Sequence, residues 1–154
     1  MDGLMTYEEA IEYIRGKAAF GMKLGLANIK NLLSLLGNPQ DKLKIIHIAG
    51  TNGKGSVAAM LESIFRAAGY RTGLFTSPYI RRFNERIRVN GVDIPDSDLA
   101  ELTERLRPAF DALTDRPTEF EVVTVLGLRY FAERGCDMVI LEAGMGGRDD
   151  FTNV

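Results

Sequence analysis

The segment that most constrains the fold runs from a short apolar stretch, through a glycine-rich turn, into a second apolar stretch. Residues 45–48, Ile-Ile-His-Ile, are typical of a buried strand, and residues 57–68 are compatible with a helix. Between them, residues 49–56 contain three glycines together with Lys54 and Ser56. Glycines let backbone N–H groups converge on an anion, and a helix N-terminus adds positive potential. The segment therefore predicts a phosphate-binding turn of the kind that holds ATP or GTP.

The spacing of this turn differs from that of the plain phosphate-binding loop. The pattern G-x-x-x-x-G-K-[ST] requires glycine at position 48 and a hydroxyl at position 55. This chain has Ile48 and Gly55, and its hydroxyl follows one residue later, at Ser56. The alternative is an ordinary glycine-rich turn with a solvated Lys54. The order of strand, turn, lysine and helix favours phosphate binding.

Length, charge and residue counts limit the other classes of function. The chain has 154 residues, 45% of them apolar, which suits one domain or a piece of a larger one. Its net charge of −2 favours neither nucleic acid nor an anionic membrane as a partner. With one cysteine, Cys136, and one histidine, His47, it can form neither an internal disulfide nor a histidine-based metal cluster. We find no signal peptide or membrane-spanning run, expect a cytoplasmic protein, and interpret His47 as a hydrogen-bonded strand residue.

Predicted strands and helices alternate along the chain. Helices are predicted over 6–17, 26–36, 57–68, 97–113 (capped by Asp96 or Ser97) and 119–134; strands are predicted over 43–48, 71–75 and 137–142, with a hairpin over 86–94. This alternation predicts an α/β fold, a parallel doubly wound sheet of the P-loop NTPase type with a β-hairpin insertion. Ligands bind such sheets at the carboxyl ends of the strands.

Three candidate site segments follow predicted strands: the glycine-rich turn, Thr76-Ser77 and Glu142. Glu142 either holds Mg²⁺ against a nucleotide, or is a strand-end carboxylate that caps a neighbouring helix or pairs with an arginine. The glycine-rich turn favours the metal role. Residues 79–88 form a basic loop with two aromatic residues. That loop is a nucleic-acid contact, a clamp for an anionic aromatic molecule, or a solvated loop; the acidic net charge makes nucleic acid the least favoured.

Several motifs occur together in one order. They are 20–26 (Phe-Gly-Met-Lys-Leu-Gly-Leu), 49–56, 73–78 (Gly-Leu-Phe-Thr-Ser-Pro), 83–87 (Phe-Asn-Glu-Arg-Ile), 118–121 (Thr-Glu-Phe-Glu) and 142–154. In these motifs the chain resembles the N-terminal part of the folylpolyglutamate synthase/dihydrofolate synthase family, within the Mur ligase superfamily. The resemblance covers nearly the whole chain. It departs at 149–151, where Asp149 and Phe151 replace the leucine and alanine that the family usually has.

The resemblance implies an ATP-dependent amide ligase that uses ATP and Mg²⁺. Its small-molecule substrates are L-glutamate and dihydropteroate or a folate, joined through an acyl phosphate. Residues 1–154 then form a truncated N-terminal part of the Mur-ligase-type ATP-binding domain, without the C-terminal glutamate-ligase domain. We expect this piece to be inactive, or nearly so, without the C-terminal part of the same polypeptide.

The resemblance also implies roles for individual residues. Lys54 is the catalytic residue. ATP is bound by Thr51, Asn52, Gly53, Lys54, Gly55 and Ser56, and the metal by Ser77 and Glu142. The pterin or pteroate site is lined by Met22, Lys23, Leu24, Thr118, Glu119, Phe120, Glu121, Asp149, Asp150 and Phe151.

Two other classes of function compete with the ligase. If the chain is a P-loop kinase or NTPase, it turns over ATP substantially without folate. The absence of the plain P-loop spacing argues against this class. A non-enzymatic nucleotide-binding module predicts stoichiometric ATP binding without turnover.

Overall fold

The computed structural model describes residues 4–20, 25–144 and 150–154. The helices are α1 (Tyr7–Gly16), α2 (Ala27–Leu35), α3 (Lys54–Ala67), α4 (Asp96–Ala112) and α5 (Glu119–Glu133). The strands are β1 (Ile45–Ile48), β2 (Thr72–Phe75), β3 (Ile87–Val89), β4 (Val92–Asp93) and β5 (Met138–Glu142). Across these ranges, no helix is long and apolar enough to cross a membrane. The helices and strands predicted from the sequence are present, with shifted ends.

The strands form one five-stranded sheet in the order β1-β5-β2-β3-β4. β1 and β2 both pair in parallel with β5, so that Ile48 lies opposite Glu142 and Phe75 opposite Leu141. The β3–β4 hairpin adds to β2 in the antiparallel sense. The predicted parallel α/β sheet is confirmed, and the hairpin extends that same sheet rather than standing apart from it.

Helices cover both faces of the sheet because apolar side chains alternate between the faces along each strand. Leu74 and Ile140 pack with Ala58 of α3 on one face. The following residues, Phe75 and Leu141, point to the other face, where they join the larger core built with α1, α2, α4 and α5. The layers therefore leave the carboxyl ends of β1, β5 and β2 at one edge, beside the N-terminus of α3.

The hairpin turn is linked to α3 by hydrogen bonds that pass through two buried polar residues, Thr72 and Glu62. Asn90 and Gly91 both have positive φ angles, 51° and 76°, as expected for the two-residue turn that the Asn-Gly pair predicts. The Asn90 side chain accepts a hydrogen bond from the backbone N–H of Thr72 at 2.8 Å. The Thr72 hydroxyl donates to Glu62 at 2.6 Å, and Arg66 donates to the same Glu62 oxygen at 3.0 Å. These bonds fix the antiparallel strands to the helix that follows the glycine-rich turn.

The predicted cap of α4 is wrong. Pro95 occupies the N-cap position and makes no side-chain hydrogen bond to the helix. The Asp96 carboxylate instead accepts hydrogen bonds from Arg82 at 2.7 Å and from Asn84 at 2.9 Å. The local pattern assigned the Asp96 side chain to capping, but in the structure this side chain forms an ion pair with Arg82 instead.

Replacing Gly73 with alanine is expected to lower the free energy of unfolding by about 1–3 kcal/mol, because overpacking strains a filled core. A Cβ at Gly73 would lie 2.7 Å from Cδ1 of Phe131, whose ring is fully buried. Urea denaturation measures the change. Gly16→Ala is the control, because a Cβ there would have no neighbouring heavy atom within 4 Å. Equal stability of the two variants would contradict the close approach of Phe131 to β2.

Candidate nucleotide and substrate site

The glycine-rich turn leads directly from β1 into α3. Gly50 and Gly53 adopt positive φ angles of 152° and 76°, which side-chain-bearing residues rarely adopt. Gly53 is the N-cap of α3 and contributes no side-chain hydrogen bond. The N–H groups of the first helical turn therefore have no capping side chain and can face an anion.

Lys54 lies across this turn. Its ammonium group donates a hydrogen bond to the backbone carbonyl of Gly50 at 2.8 Å. Thr51, Asn52 and Ser56 are exposed, whereas Lys54 is half-buried. The helix begins three residues earlier than the apolar pattern predicts, and so the lysine belongs to its first turn. A positive charge and a helix N-terminus thus occupy the same small region.

The three segments predicted to converge do lie together at the carboxyl edge of the sheet. Glu142 ends β5 and is 6% exposed. Its Oε2 atom accepts a hydrogen bond from the backbone N–H of Ser77 at 2.9 Å. A Cβ at Gly55 would lie 3.4 Å from the other carboxylate oxygen. Glu142 therefore packs directly against the first turn of α3.

The residues at this edge suit a nucleotide with its magnesium ion. Within the described parts of the chain, no group of three or more His, Cys, Asp or Glu side chains could hold a metal ion. Mg²⁺ bound with a nucleotide needs few protein ligands, because it keeps several waters and takes phosphate oxygens. One carboxylate, Glu142, beside one hydroxyl residue, Ser77, is sufficient for that mode of binding.

Thr118 and Glu121 support the N-terminus of α5. The Thr118 hydroxyl accepts a hydrogen bond from the backbone N–H of Glu121 at 3.2 Å. The Glu121 carboxylate accepts from the backbone N–H of Thr118 at 2.8 Å and from the Asn28 side chain at 3.1 Å. Glu121 is fully buried and Thr118 is 4% exposed. These two predicted substrate residues are bonded to each other and to α2, which fixes the position of the two residues between them, Glu119 and Phe120.

Replacing Thr118 with valine is expected to lower the free energy of unfolding by about 0.5–2 kcal/mol, because the cap of α5 is lost. Thr118→Ser keeps the hydroxyl and is expected to retain most of the stability. Thermal or urea denaturation of both variants measures this difference. A valine variant as stable as the serine variant would contradict the capping role and leave direct contact with a ligand as the function of this hydroxyl.

Phe120 and Phe151 form an aromatic cluster close to Glu142. Their ring centroids are 6.2 Å apart, and the ring of Phe120 is 6.0 Å from that of Phe75. A Cβ at Gly144, two residues beyond Glu142, would lie 2.7 Å from the Phe120 ring. Asp150 precedes Phe151 and is 5% exposed. The structure therefore brings Phe120, Asp150 and Phe151 to the end of β5, while Met22, Lys23, Leu24 and Asp149 lie outside the described residues.

Most arginines of the basic loop form ion pairs with acidic residues of the fold. Ion pairs join Arg82 to Asp96 at 2.7 Å, Arg88 to Asp93 at 2.8 Å and Arg86 to Glu119 at 3.5 Å. The Arg86 guanidinium lies 5.3 Å from the ring centroid of Tyr79 and 5.2 Å from that of Phe83. Burial lowers the pKa of Arg86, and the negative charge of Glu119 opposes that shift. Glu119, another predicted substrate residue, is thereby tied to the loop after β2.

His47 of β1 has a hydrogen-bond partner, as its position in an apolar strand predicts, but the sequence does not identify that partner. Nε2 of His47 lies 2.6 Å from the hydroxyl oxygen of Thr152. The signal was a single histidine within an apolar strand, which indicated a hydrogen-bond partner without identifying it. The partner lies 105 positions away along the chain.

The fold and the site together define an α/β domain that offers a helix N-terminus, a lysine and a carboxylate at the carboxyl ends of parallel strands. No family model matches the chain. It is 47% identical to the dihydrofolate synthase/folylpolyglutamate synthase of Bacillus subtilis, over 97% of this chain and 36% of that protein. The chain belongs to the folylpolyglutamate synthase/dihydrofolate synthase family, which confirms the resemblance seen in its motifs.

Solved structures agree with this assignment. The folylpolyglutamate synthase of Thermotoga maritima has a TM-score of 0.89 and 44% identity, over 96% of this chain and 35% of that one. A folylpolyglutamate synthase complex with AMPPCP and folate has a TM-score of 0.89 and 40% identity, over 97% of this chain and 38% of that one. The chain thus spans only part of the length of the relatives that it matches, 36% for the first two curated ones.

Proposed function

We propose that this chain is the nucleotide-binding part of an ATP-dependent ligase that joins L-glutamate to dihydropteroate or to a folate. The observation that carries the proposal is the convergence of Lys54, Ser77 and Glu142 at one edge of the sheet, beside the N-terminus of α3. A family relative bound to AMPPCP and folate supports both kinds of ligand. Residues 1–154 belong to an N-terminal ATP-binding domain, and glutamate binds a further part of the same polypeptide.

The residues of the turn bind and orient the phosphates. The N–H groups at the start of α3 and the Lys54 ammonium group hold the terminal phosphates of ATP. Glu142 and Ser77 hold Mg²⁺, which when bound neutralises charge on the phosphates. A carboxylate oxygen of the substrate attacks the γ-phosphorus of ATP and ADP leaves, which gives an acyl phosphate. The glutamate amine then attacks the acyl carbon, and phosphate and a proton leave as the amide forms. The protein contributes positioning and charge neutralisation, which is most of what phosphoryl transfer requires.

The aromatic cluster lies on the substrate side of this arrangement. Phe120 is partly exposed and offers a ring surface for a flat pterin, and the buried Phe151 supports it from behind. Aromatic pairs favour offset or edge contacts of this kind. Asp150 adds a carboxylate next to Phe151. Residues 22–24 and Asp149 complete the proposed pteroate site, and Thr118, Glu119 and Glu121 hold α5 and the basic loop in place around it.

The test is a ligase assay on the longest form in which the host makes this polypeptide. ATP, Mg²⁺ and glutamate are supplied with dihydropteroate, with folate, or with neither. We expect phosphate release that depends on the pteroate or folate substrate, and a product heavier by one glutamyl residue in mass spectrometry. Absence of both would overturn the proposal.

Two other outcomes would identify the competing classes. Rapid ATP turnover without folate or pteroate would indicate a kinase or NTPase, and stoichiometric binding without turnover would indicate a nucleotide-binding module. The isolated 154-residue chain is expected to release no phosphate above background.

A further inference from the structure

His47 is placed to reach the substrate side of the sheet. Its neighbour Ile48 packs with the small cluster beneath α3, whereas Ile45 packs against the larger core on the other face. Alternation along the strand therefore directs His47 to the face that carries α5 and Phe151. There its Nε2 atom lies 2.6 Å from the hydroxyl oxygen of Thr152.

The hydroxyl of Thr152 has a second partner that sets the direction of these bonds. Thr152 donates its backbone N–H to Oδ1 of Asp150 at 2.9 Å, and its hydroxyl donates to the same oxygen in a short hydrogen bond. A hydroxyl has one proton, and here that proton is committed to the carboxylate. The Thr152 oxygen can then only accept from His47, so Nε2 of His47 carries a proton. The bonds run from His47 through Thr152 to Asp150.

This chain of bonds joins two parts of the proposed site. Its Thr152 and Asp150 end is shielded from solvent, whereas His47 is half-buried. Thr152 is 3% exposed and Asp150 is 5% exposed. The backbone N–H of Asn153 donates to the carbonyl of Asp150 at 2.9 Å, which closes a turn around Phe151 and Thr152. His47 belongs to the strand that leads into the glycine-rich turn. The nucleotide-binding strand therefore holds the turn that presents Asp150 and Phe151.

We propose that His47 is a positioning residue for the pteroate or folate substrate, acting through Thr152 to hold Asp150 and Phe151 at the carboxyl edge of the sheet. This inference rests on the proposed ligase function. It assigns to His47 no contact with ATP and no part in proton transfer. The role requires a hydrogen-bond donor at the position of Nε2, and that requirement can be tested directly.

The first test examines the turn itself by hydrogen exchange in the 154-residue chain. His47→Leu removes the donor, whereas His47→Gln places an amide N–H close to the position of Nε2. Thr152→Val and Thr152→Ser form a matched pair at the other end. The amides of Thr152 and Asn153 are expected to lose about tenfold protection in the leucine and valine variants and to keep it in the glutamine and serine variants.

Coupling between the two residues gives a stricter criterion. If His47 and Thr152 stabilise the turn through the one hydrogen bond between them, the double variant His47→Leu/Thr152→Val loses little more protection than either single variant. Additive losses, or unchanged protection in His47→Leu, would overturn the proposal. Thermal denaturation of each variant separates a local change at this turn from general unfolding.

The second test is kinetic and uses the longest native form of the polypeptide. His47→Leu is expected to raise KM for dihydropteroate or folate about tenfold, to leave KM for ATP within twofold, and to be rescued by His47→Gln. An equal rise in both KM values would overturn the proposal, because the residue would then act on the nucleotide turn. If the wild-type enzyme makes no product, the proposed function fails and the substrate role with it. Hydrogen exchange still decides whether His47 fixes the turn.

Discussion

Replacing Lys54 with methionine is expected to lower kcat/KM of the ligase reaction about 100- to 1,000-fold, the usual cost of losing one preorganised group that stabilises developing charge. Methionine is unbranched, keeps most of the length of the side chain and removes its charge. In the structure, the ammonium group lies across the glycine-rich turn, 2.8 Å from the carbonyl of Gly50, at the start of α3. No other lysine lies within residues 49–56. The loss is expected in ATP-dependent product formation, measured at several ATP concentrations.

Lys30→Met is the matched control for this prediction. Lys30 is exposed on α2, so the same chemical change there is expected to leave kcat/KM within twofold. Circular dichroism and thermal denaturation check that Lys54→Met retains the wild-type fold. A folded Lys54→Met variant with wild-type activity would remove the glycine-rich turn from the proposed catalytic site.

Replacing Glu142 with glutamine is expected to lower kcat/KM at least about 100-fold and to raise the Mg²⁺ concentration needed for half-maximal rate, because a metal contributes several kcal/mol of charge stabilisation. Glutamine has the same shape and can still accept the hydrogen bond from the backbone N–H of Ser77. Its size also matches that of the glutamate that lies beside Gly55. The substitution therefore removes a charge with little change in packing, and a Mg²⁺ titration of the rate measures its effect.

The Mg²⁺ titration also separates this variant from Lys54→Met. Loss of a metal ligand shifts the Mg²⁺ midpoint, whereas loss of the lysine charge is expected to lower the rate with little shift. Glu12→Gln, on the exposed side of α1, is the control and is expected to behave as wild type. An unchanged Mg²⁺ midpoint in Glu142→Gln would contradict the metal role and favour a purely structural strand-end carboxylate.

Local patterns in the sequence were sufficient to predict the structure wherever a residue's environment comes from its near neighbours along the chain. The Asn90-Gly91 turn and the alternation of strands with helices both appear in the structure as the sequence predicts. The same reasoning failed at α4, because the Asp96 side chain is used by Arg82 and Asn84. A tertiary partner can satisfy a polar side chain better than the adjacent helix terminus, and sequence spacing carries no information about that partner.

The sequence by itself determined the parallel sheet, the glycine-rich turn and the family, because these depend on short-range order along the chain. Only the tertiary structure decided how Gly55, Ser77 and Glu142 meet, why Thr118 and Glu121 are bonded to each other rather than open to a ligand, and what His47 contacts. Each of these contacts joins residues brought together by packing or buried by it. Their energies depend on burial and on distances of about 3 Å between donors and acceptors, which the fold sets.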